Sequence, residues 1–169
     1  MMARGVGPRV GRQLVSVFGS VEALWRTPPT GLEQCDGVSS RLAKSLQNVD
    51  QQAVEAIVQT CRNSNIKLIC LEDELYPQRL LACDDAPLIL FAQGDASVLN
   101  NPYMLSVVGA RKASKEGRVI ARRWSQYCSE RSVTVVSGMA YGIDAAAHGG
   151  ALEGDAGTVA VLGSGLKAI

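Results

Sequence analysis

The chain has 169 residues, 47% of them hydrophobic, and a formal net charge of +1 at pH 7. This length and composition predict a soluble globular chain with one domain of ordinary size and a small second one. The longest apolar runs, such as residues 86–92, are far shorter than the ~20 residues of a membrane span, and the N-terminus lacks a signal-like apolar block, so we expect a cytoplasmic protein without a membrane partner.

The five cysteines are odd in number, widely spaced and free of any CxxC pair. This pattern argues against a disulfide framework and against a zinc site. We predict that the cysteines are reduced and mostly buried, and that the chain holds neither a metal nor a cofactor.

The first predicted region, residues 1–62, is a small all-α domain. It opens with a Gly-x-Gly-Pro turn, followed by a helix with an apolar stripe, and a similar hairpin is predicted at residues 35–46. The stripe comprises Val10, Leu14, Val17 and Phe18. Helix hairpins with glycine turns bind a DNA phosphate through backbone N–H groups in some proteins and serve only tight packing in others, so both roles stay open here.

The second predicted region, residues 63–169, alternates apolar strands with helices and predicts an α/β domain with a Rossmann-like, mostly parallel open sheet. The near-continuous apolar character of the strands suggests burial on both faces. Helices at residues 115–131 and 143–152 supply the crossovers, and the sequence leaves open whether they share one face. The predicted strands are residues 66–71, 88–92, 105–108, 133–136 and 159–162.

Three of these strands end in glycine turns, which parallel pairing would bring to one edge of the sheet. The segments that contain them are residues 106–117, 135–152 and 158–166. Glycine lets the backbone approach a ligand closely, and the N-terminus of a following helix offers unpaired N–H groups and partial positive charge. A phosphate-bearing ligand is therefore expected at this edge.

Charge is unevenly distributed along the chain. Six basic residues and one acidic residue lie from Arg111 to Arg123, whereas residues 72–95 hold six acidic residues and one arginine. A charge run on its own usually marks a solvated surface. Arg111, and with it Lys112 and Lys115, belongs to the first glycine turn, and this position favours a role in binding an anion.

Five sequence blocks, taken in order, resemble the DprA (Smf) family of DNA-processing proteins. The blocks are YPQRL at residues 76–80, APLILFAQGD at 86–95, VVGAR at 107–111, VSGMAYGIDAAAH at 136–148 and VAVLGSGL at 159–166. Residues 5–46 more weakly resemble the family's N-terminal helical, SAM-like domain. The resemblance covers the N-terminal portion of the family pattern, so we expect an incomplete Rossmann-like domain whose last strand, without its covering helix, exposes Val159 or Val161.

The resemblance implies a single-stranded DNA-binding protein of natural transformation, which protects incoming DNA and helps to load RecA without catalysing a reaction. It implies a homodimer for the full-length family. In that family the arginine that corresponds to Arg111, with Gly109 before it, contacts a DNA phosphate. The alternative is that Arg111 only braces the fold through an ion pair with a carboxylate such as Asp144. The other residues predicted to bind DNA are Lys112, Lys115, Ser137, Gly138, Gly163, Ser164 and Gly165.

Asp144 and the only histidine, His148, lie four residues apart on a predicted helix, a spacing that invites a catalytic or metal-binding interpretation. One histidine and one carboxylate are too few ligands for an ordinary metal site, and no nucleophile accompanies them in a recognisable motif. We therefore predict a structural role for both, with Asp144 satisfying backbone donors near the helix start. Tyr141, at the tip of the same turn, could stack on a base or be incidental.

The first turn departs from the family pattern at two positions. Ala110 stands where the family usually has Thr or Ser, and Glu116 adds a negative charge near the basic residues. The competing hypothesis is a nucleotide-processing enzyme similar to the LOG-like phosphoribohydrolases. Neither their PGGxGTxxE motif nor the GxGxxG dinucleotide fingerprint occurs in the sequence. A purely structural interaction module would leave the basic turn unexplained.

Overall fold

The computed structural model describes residues 5–166, which form two compact units divided between Gly94 and Asp95. The division lies later in the chain than the domain boundary expected after residue 62. The reason is that the first strand packs against the last long helix of the first unit and pairs with the second strand.

The first unit consists of short helices and a β-hairpin. In order, it contains α1 (Pro8–Phe18), α2 (Val21–Arg26), α3 (Pro29–Leu32), α4 (Ser40–Gln47), α5 (Gln51–Asn63), β1 (Ile66–Cys70), α6 (Gln78–Leu81) and β2 (Ile89–Gln93). Side chains of Ser20, Ser39 and Asp50 accept the N–H three residues later and so begin α2, α4 and α5. Proline at the first position of α1 has its φ already set for a helix.

Leu14 and Leu32 are completely enclosed at the centre of the helical core. The cluster around them is Cys35, Val38, Leu42 and Ala43. Val10 and Phe18 pack against this cluster as predicted, but Val17 is 59% exposed and does not belong to the stripe. Val17 lies at the edge of the apolar face of α1, so the part of this face that is buried is narrower than the spacing of the four apolar residues predicts.

The two strands of the first unit form an antiparallel ladder that runs from Ile66 opposite Gln93 to Cys70 opposite Ile89. The expectation that they would join the mostly parallel sheet is therefore wrong. Burial on both faces is also wrong for β2, in which Ile89 and Phe91 are about half exposed. In the connection between the strands, Tyr76 is fully buried and its hydroxyl donates to the Pro87 carbonyl oxygen over 2.6 Å.

The second unit contains a parallel three-stranded sheet and two long helices, which confirms the mixed α/β class. In order, it contains a 3₁₀ helix (Ala96–Asn100), β3 (Met104–Ser106), α7 (Lys115–Ser129), β4 (Thr134–Ser137), α8 (Ile143–Ala151) and β5 (Thr158–Ala160). The strand order is β3-β4-β5. Both crossovers run in the same direction across the sheet, so right-handed connections place α7 and α8 on one face.

The core of the second unit lies between this sheet and these helices. Val135 on β4 is fully buried against Ala147 and Ala151 of α8, with Cys128 of α7 packed beside them. The two helices approach closely because Gly150 has no side chain: a Cβ there would lie 2.0 Å from the Arg122 carbonyl oxygen. Small residues on α8 therefore set the distance between the helices.

The exposure of the cysteines differs from the prediction, whereas the exposure of Val161 agrees with it. Cys35 and Cys61 are buried, but Cys70 and Cys128 are half-buried and Cys83 is exposed, so burial of most cysteines was a wrong prediction. Val161 is 63% exposed after the last strand, as expected.

Between residues 5 and 166, no helix is both long enough and apolar enough to cross a membrane.

Candidate nucleic-acid interface

The three glycine turns lie at the same edge of the parallel sheet, because each follows the carboxyl end of a strand. The Val107 N–H donates to the Val136 carbonyl oxygen over 3.0 Å, and the Val161 N–H donates to that of Ser137 over 2.8 Å. The sequence-predicted residues Gly109, Gly138 and Gly163 are thereby brought to one side of the sheet. We call residues 107–114, 138–142 and 161–166 the first, second and third turns.

One buried carboxylate ties the first turn to the second. Asp144, 6% exposed, accepts the Gly109 N–H at Oδ1 over 3.3 Å and the N–H groups of Gly138 and Ala140 at Oδ2 over 3.2 and 3.4 Å. Hydrogen bonds to a charged acceptor are stronger than neutral ones. The N–H groups of both glycines are thus engaged inside the protein and not open to a ligand.

The alternative role for Arg111, an ion pair with Asp144, is wrong. Arg111 is exposed and forms no ion pair within residues 5–166, while the Asp144 carboxylate is satisfied by backbone donors. The basic side chain therefore stays available on the surface of the first turn.

Glycine at position 142 lets the first turn rest on the start of α8. Gly142 has a φ of +88°, and a Cβ there would lie 2.2 Å from the Ala110 carbonyl oxygen and 2.5 Å from that of Arg111. The neighbouring Ile143 N–H donates to the same Ala110 oxygen over 3.3 Å. The backbone beside Arg111 is fixed by these contacts, even though its side chain is free.

The other predicted residues divide between the interior and the surface. The Ser137 hydroxyl is buried and donates to the Val107 carbonyl oxygen over 2.6 Å, so it joins two strands. Gly163, Ser164 and Gly165 are exposed in the third turn, and a Cβ at either glycine would meet no atom within 4 Å. The third turn is therefore open to solvent at these three residues.

Unengaged donors and positive charges coincide in the first turn. The backbone N–H groups of residues 110–113 donate to no acceptor in the described part of the chain, and Arg111 and Lys112 are exposed beside them. Ser114 then begins α7 by accepting the Gly117 N–H over 3.0 Å, and exposed Lys115 is the first helical residue. Helix N-termini of this kind attract anions, whereas the Glu116 carboxylate next to Lys115 opposes them.

His148 is held inside the second unit by Thr158. Its Nδ1 lies 2.8 Å from the Thr158 hydroxyl oxygen, whose own proton is donated to the Val135 carbonyl oxygen over 2.7 Å. Nδ1 is therefore the donor and carries the proton, and Nε2 is buried without a partner among residues 5–166. Burial lowers the pKa of His148, and the nearby Asp144 carboxylate offsets part of this effect.

Met139, at the second turn, has a positive φ of 59°, which the sequence did not indicate. Methionine rarely adopts the left-handed conformation, so no residue-type signal could have identified this position. Met139 is half exposed, and Tyr141 is 85% exposed at the tip of the turn. Within residues 5–166, no group of three His, Cys, Asp or Glu side chains is arranged to hold a metal ion.

Comparisons with known proteins agree with the resemblance in the sequence. Residues 67–169 match the family model of DNA recombination-mediator protein A. Protein Smf from Escherichia coli is 35% identical over 136 residues, which make up 80% of this chain and 36% of that protein. DNA processing protein DprA from Streptococcus pneumoniae is 42% identical over 94 residues, or 56% of this chain and 33% of that protein.

The fold is also similar to a solved structure. The X-ray structure of DprA from Streptococcus pneumoniae matches with a TM-score of 0.77 and 25% identity, and the match covers 98% of this chain and 56% of that one. The chain thus spans about a third of the length of the relatives that it matches in sequence.

Proposed function

The chain belongs to the DNA recombination-mediator protein A (DprA/Smf) family, and we propose that it binds single-stranded DNA by the phosphate groups, at the first glycine turn. In this proposal it protects incoming DNA during natural transformation and helps to load RecA, and it catalyses no reaction. Homodimerisation, which the resemblance implies for full-length members of the family, belongs to the same proposal. The family's name supports a role in recombination, and the exposed basic turn supports the choice of ligand.

The observation that carries the proposal is the pairing of open N–H groups with unpaired cations in the first turn. The N–H groups of residues 110–113 lie next to Arg111 and Lys112, and Lys115 stands at the N-terminus of a 15-residue helix. Such donors bind phosphate oxygens without reading a base, as sequence-independent binding to a single strand requires.

The predicted site residues take two roles in this proposal. Arg111, Lys112 and Lys115 contact phosphates directly, and the open third turn, residues 163–165, offers further donors. The N–H groups of Gly109 and Gly138 and the hydroxyl of Ser137 are engaged within the protein, so we assign the remaining predicted residues the task of shaping the turns. This second set is Gly109, Ser137 and Gly138, supported by Asp144 and His148.

The test is fluorescence anisotropy of a labelled oligo-dT, titrated with the wild-type chain and with Arg111→Ala over a series of salt concentrations. Each phosphate neutralised on a single strand contributes about 0.7 to the slope of log K against log salt, so the variant is expected to bind more weakly and with a slope smaller by about 0.7. Arg62→Ala is the control, because Arg62 is exposed in the other unit, on α5.

Competition separates this proposal from an enzyme that processes nucleotides. We expect unlabelled oligo-dT to displace the probe, duplex DNA to displace it less effectively and AMP not to displace it. Turnover of AMP, or equal salt slopes for wild type and Arg111→Ala, would contradict the proposal. Resistance of bound oligo-dT to a nuclease, and faster RecA filament formation on it, test protection and loading.

A further inference from the structure

Helix α7 carries an exposed aromatic surface away from the glycine turns. Trp124 is 60% exposed and Tyr127 is 49% exposed, and their ring centres lie 5.8 Å apart at an interplanar angle of 75°. With Arg123 these side chains line a shallow groove of about 310 Å³, and Ile120, 58% exposed, lies one turn before Trp124. A cluster of large apolar side chains on the surface marks a place where another molecule binds.

The free charge beside these rings is positive. Arg123 forms no ion pair or hydrogen bond through its side chain within residues 5–166. The Arg131 guanidinium lies 3.5 Å from the centre of the Tyr127 ring. The acidic neighbour, Glu130, already accepts a hydrogen bond from Gln126 over 3.0 Å and lies 3.8 Å from Arg131. The walls of the groove are almost entirely apolar, and an anionic group of a ligand therefore fits beside the rings, at the Arg123 guanidinium.

We propose that the groove formed by Arg123, Trp124 and Tyr127 is a second contact for single-stranded DNA, in which a base stacks on the Trp124 indole and Arg123 binds an adjacent phosphate. This inference rests on the proposed function. Aromatic rings accept the faces of all bases, so stacking adds affinity without sequence preference. An apolar protein segment laid over the groove would instead bury the Arg123 guanidinium without a partner, which is costly.

The groove lies on α7, the helix that begins directly after the basic turn. Trp124 is nine residues after Lys115, the first residue of α7, which corresponds to about 14 Å along the helix axis. The same nine residues make about two and a half helical turns, so Trp124 lies on the side of α7 opposite Lys115. A strand that leaves the first turn must therefore pass half a turn around α7, as well as along it, to reach the groove. The two contacts would act on one strand and together lengthen the binding site.

The two tryptophans of the chain provide a direct test and its control. In Trp25→Phe, Trp124 is the only tryptophan, and we expect oligo-dT to quench its fluorescence. In Trp124→Phe, the remaining Trp25 lies in the other unit and is 44% exposed, and we expect no quenching. Because both side chains are exposed, neither substitution removes core packing.

Affinity measurements complete the test. We expect Trp124→Ala to bind oligo-dT about tenfold more weakly than wild type, the loss typical of one stacked base, while Trp25→Ala binds as wild type. An oligonucleotide of abasic units should bind wild type as weakly as oligo-dT binds Trp124→Ala, and Trp124→Ala should weaken abasic binding no further. This pattern assigns the lost affinity to a base, since an altered phosphate contact would also affect the abasic ligand.

Other outcomes overturn the inference in ways that can be distinguished. If Trp124→Ala binds oligo-dT as tightly as wild type while Arg111→Ala does not, the groove is not a DNA contact but the proposed function stands. If wild type does not bind oligo-dT, both fail. If Trp124→Ala keeps its affinity but changes the sedimentation coefficient of the DNA-free chain, the groove is a contact between protein chains.

Discussion

Replacing Asp144 by asparagine tests whether one carboxylate holds the first two turns together. Asparagine has nearly the same shape, but it offers one acceptor oxygen and places an NH₂ group where the other oxygen was. If the oxygen keeps the Gly138 and Ala140 donors, the Gly109 N–H faces another donor. One hydrogen bond is then lost and two become neutral.

The expected destabilisation follows from the three contacts. A hydrogen bond to a charged group contributes about 1.5–3 kcal/mol and a neutral one about 0.5–1.5 kcal/mol. The distances at Asp144 are 3.2–3.4 Å, which is long for an N–H donor, so each bond lies near the lower end of its range. We therefore expect the free energy of unfolding of the second unit to fall by about 3 kcal/mol.

Urea unfolding in the Trp25→Phe background measures this change, because Trp124 is then the only tryptophan and reports on the second unit. Asp155→Asn is the matched control: Asp155 is exposed, and its substitution should change the free energy of unfolding by less than about 0.5 kcal/mol. If the free energy of unfolding of Asp144→Asn also lies within about 0.5 kcal/mol of wild type, the carboxylate does not hold the two turns together.

Two further predictions concern the interior of the second unit. Gly150→Ala should lower its free energy of unfolding by about 2 kcal/mol, since the new methyl group must displace the Arg122 backbone, whereas Gly163→Ala, in open space, should change it little. Equal effects of the two substitutions in urea unfolding would contradict the close packing of α7 and α8. The second prediction concerns pH. Burial lowers the pKa of His148 below the 6.5 of an exposed histidine, so the unfolded chain binds the proton more tightly than the folded one. The free energy of unfolding is therefore highest above pH 6.5 and falls as the pH drops from 6.5 through the lowered pKa. Urea unfolding at pH 7.5, 6.5 and 5.5 should show this loss in wild type, and His148→Asn, whose amide can still donate to Thr158, should show a smaller one; identical pH profiles would exclude the histidine as the cause.

The sequence predicted most of the second unit because its signals are local. Apolar strands, glycine turns and helix lengths identified β3 to β5 and the helices α7 and α8 within one or two residues. The antiparallel pairing of β1 with β2 was missed, since a short apolar strand carries no mark of the direction in which it pairs. Length and turn chemistry alone did not reveal that these strands stay with the helices of the first unit.

At the candidate site, the residue types were enough to identify the exposed cations, but they did not show which groups contact each other inside the protein. A glycine that approaches a ligand and a glycine that approaches its own protein look the same in sequence, and Gly142 proved to be of the second kind. Asp144 was recognised as a support from its place near a helix start, but the reach of its carboxylate to Gly109, 35 residues earlier, depends on tertiary structure. The Trp124 groove was missed because exposure cannot be seen in a helical spacing pattern.

Asp144 is a buried support and Arg111 an exposed cation, and this difference affects which substitutions the protein can tolerate during evolution. The Arg111 side chain forms no ion pair within residues 5–166, so we expect a substitution there to leave folding intact and, under the proposed function, to change only the affinity for DNA. Asp144 is buried and hydrogen-bonded to both turns, so we expect a substitution there to affect folding and the geometry of the two turns together. If the proposed function holds, selection can adjust the strength of DNA binding through the surface cations one at a time, while the Asp144 carboxylate has little freedom to vary.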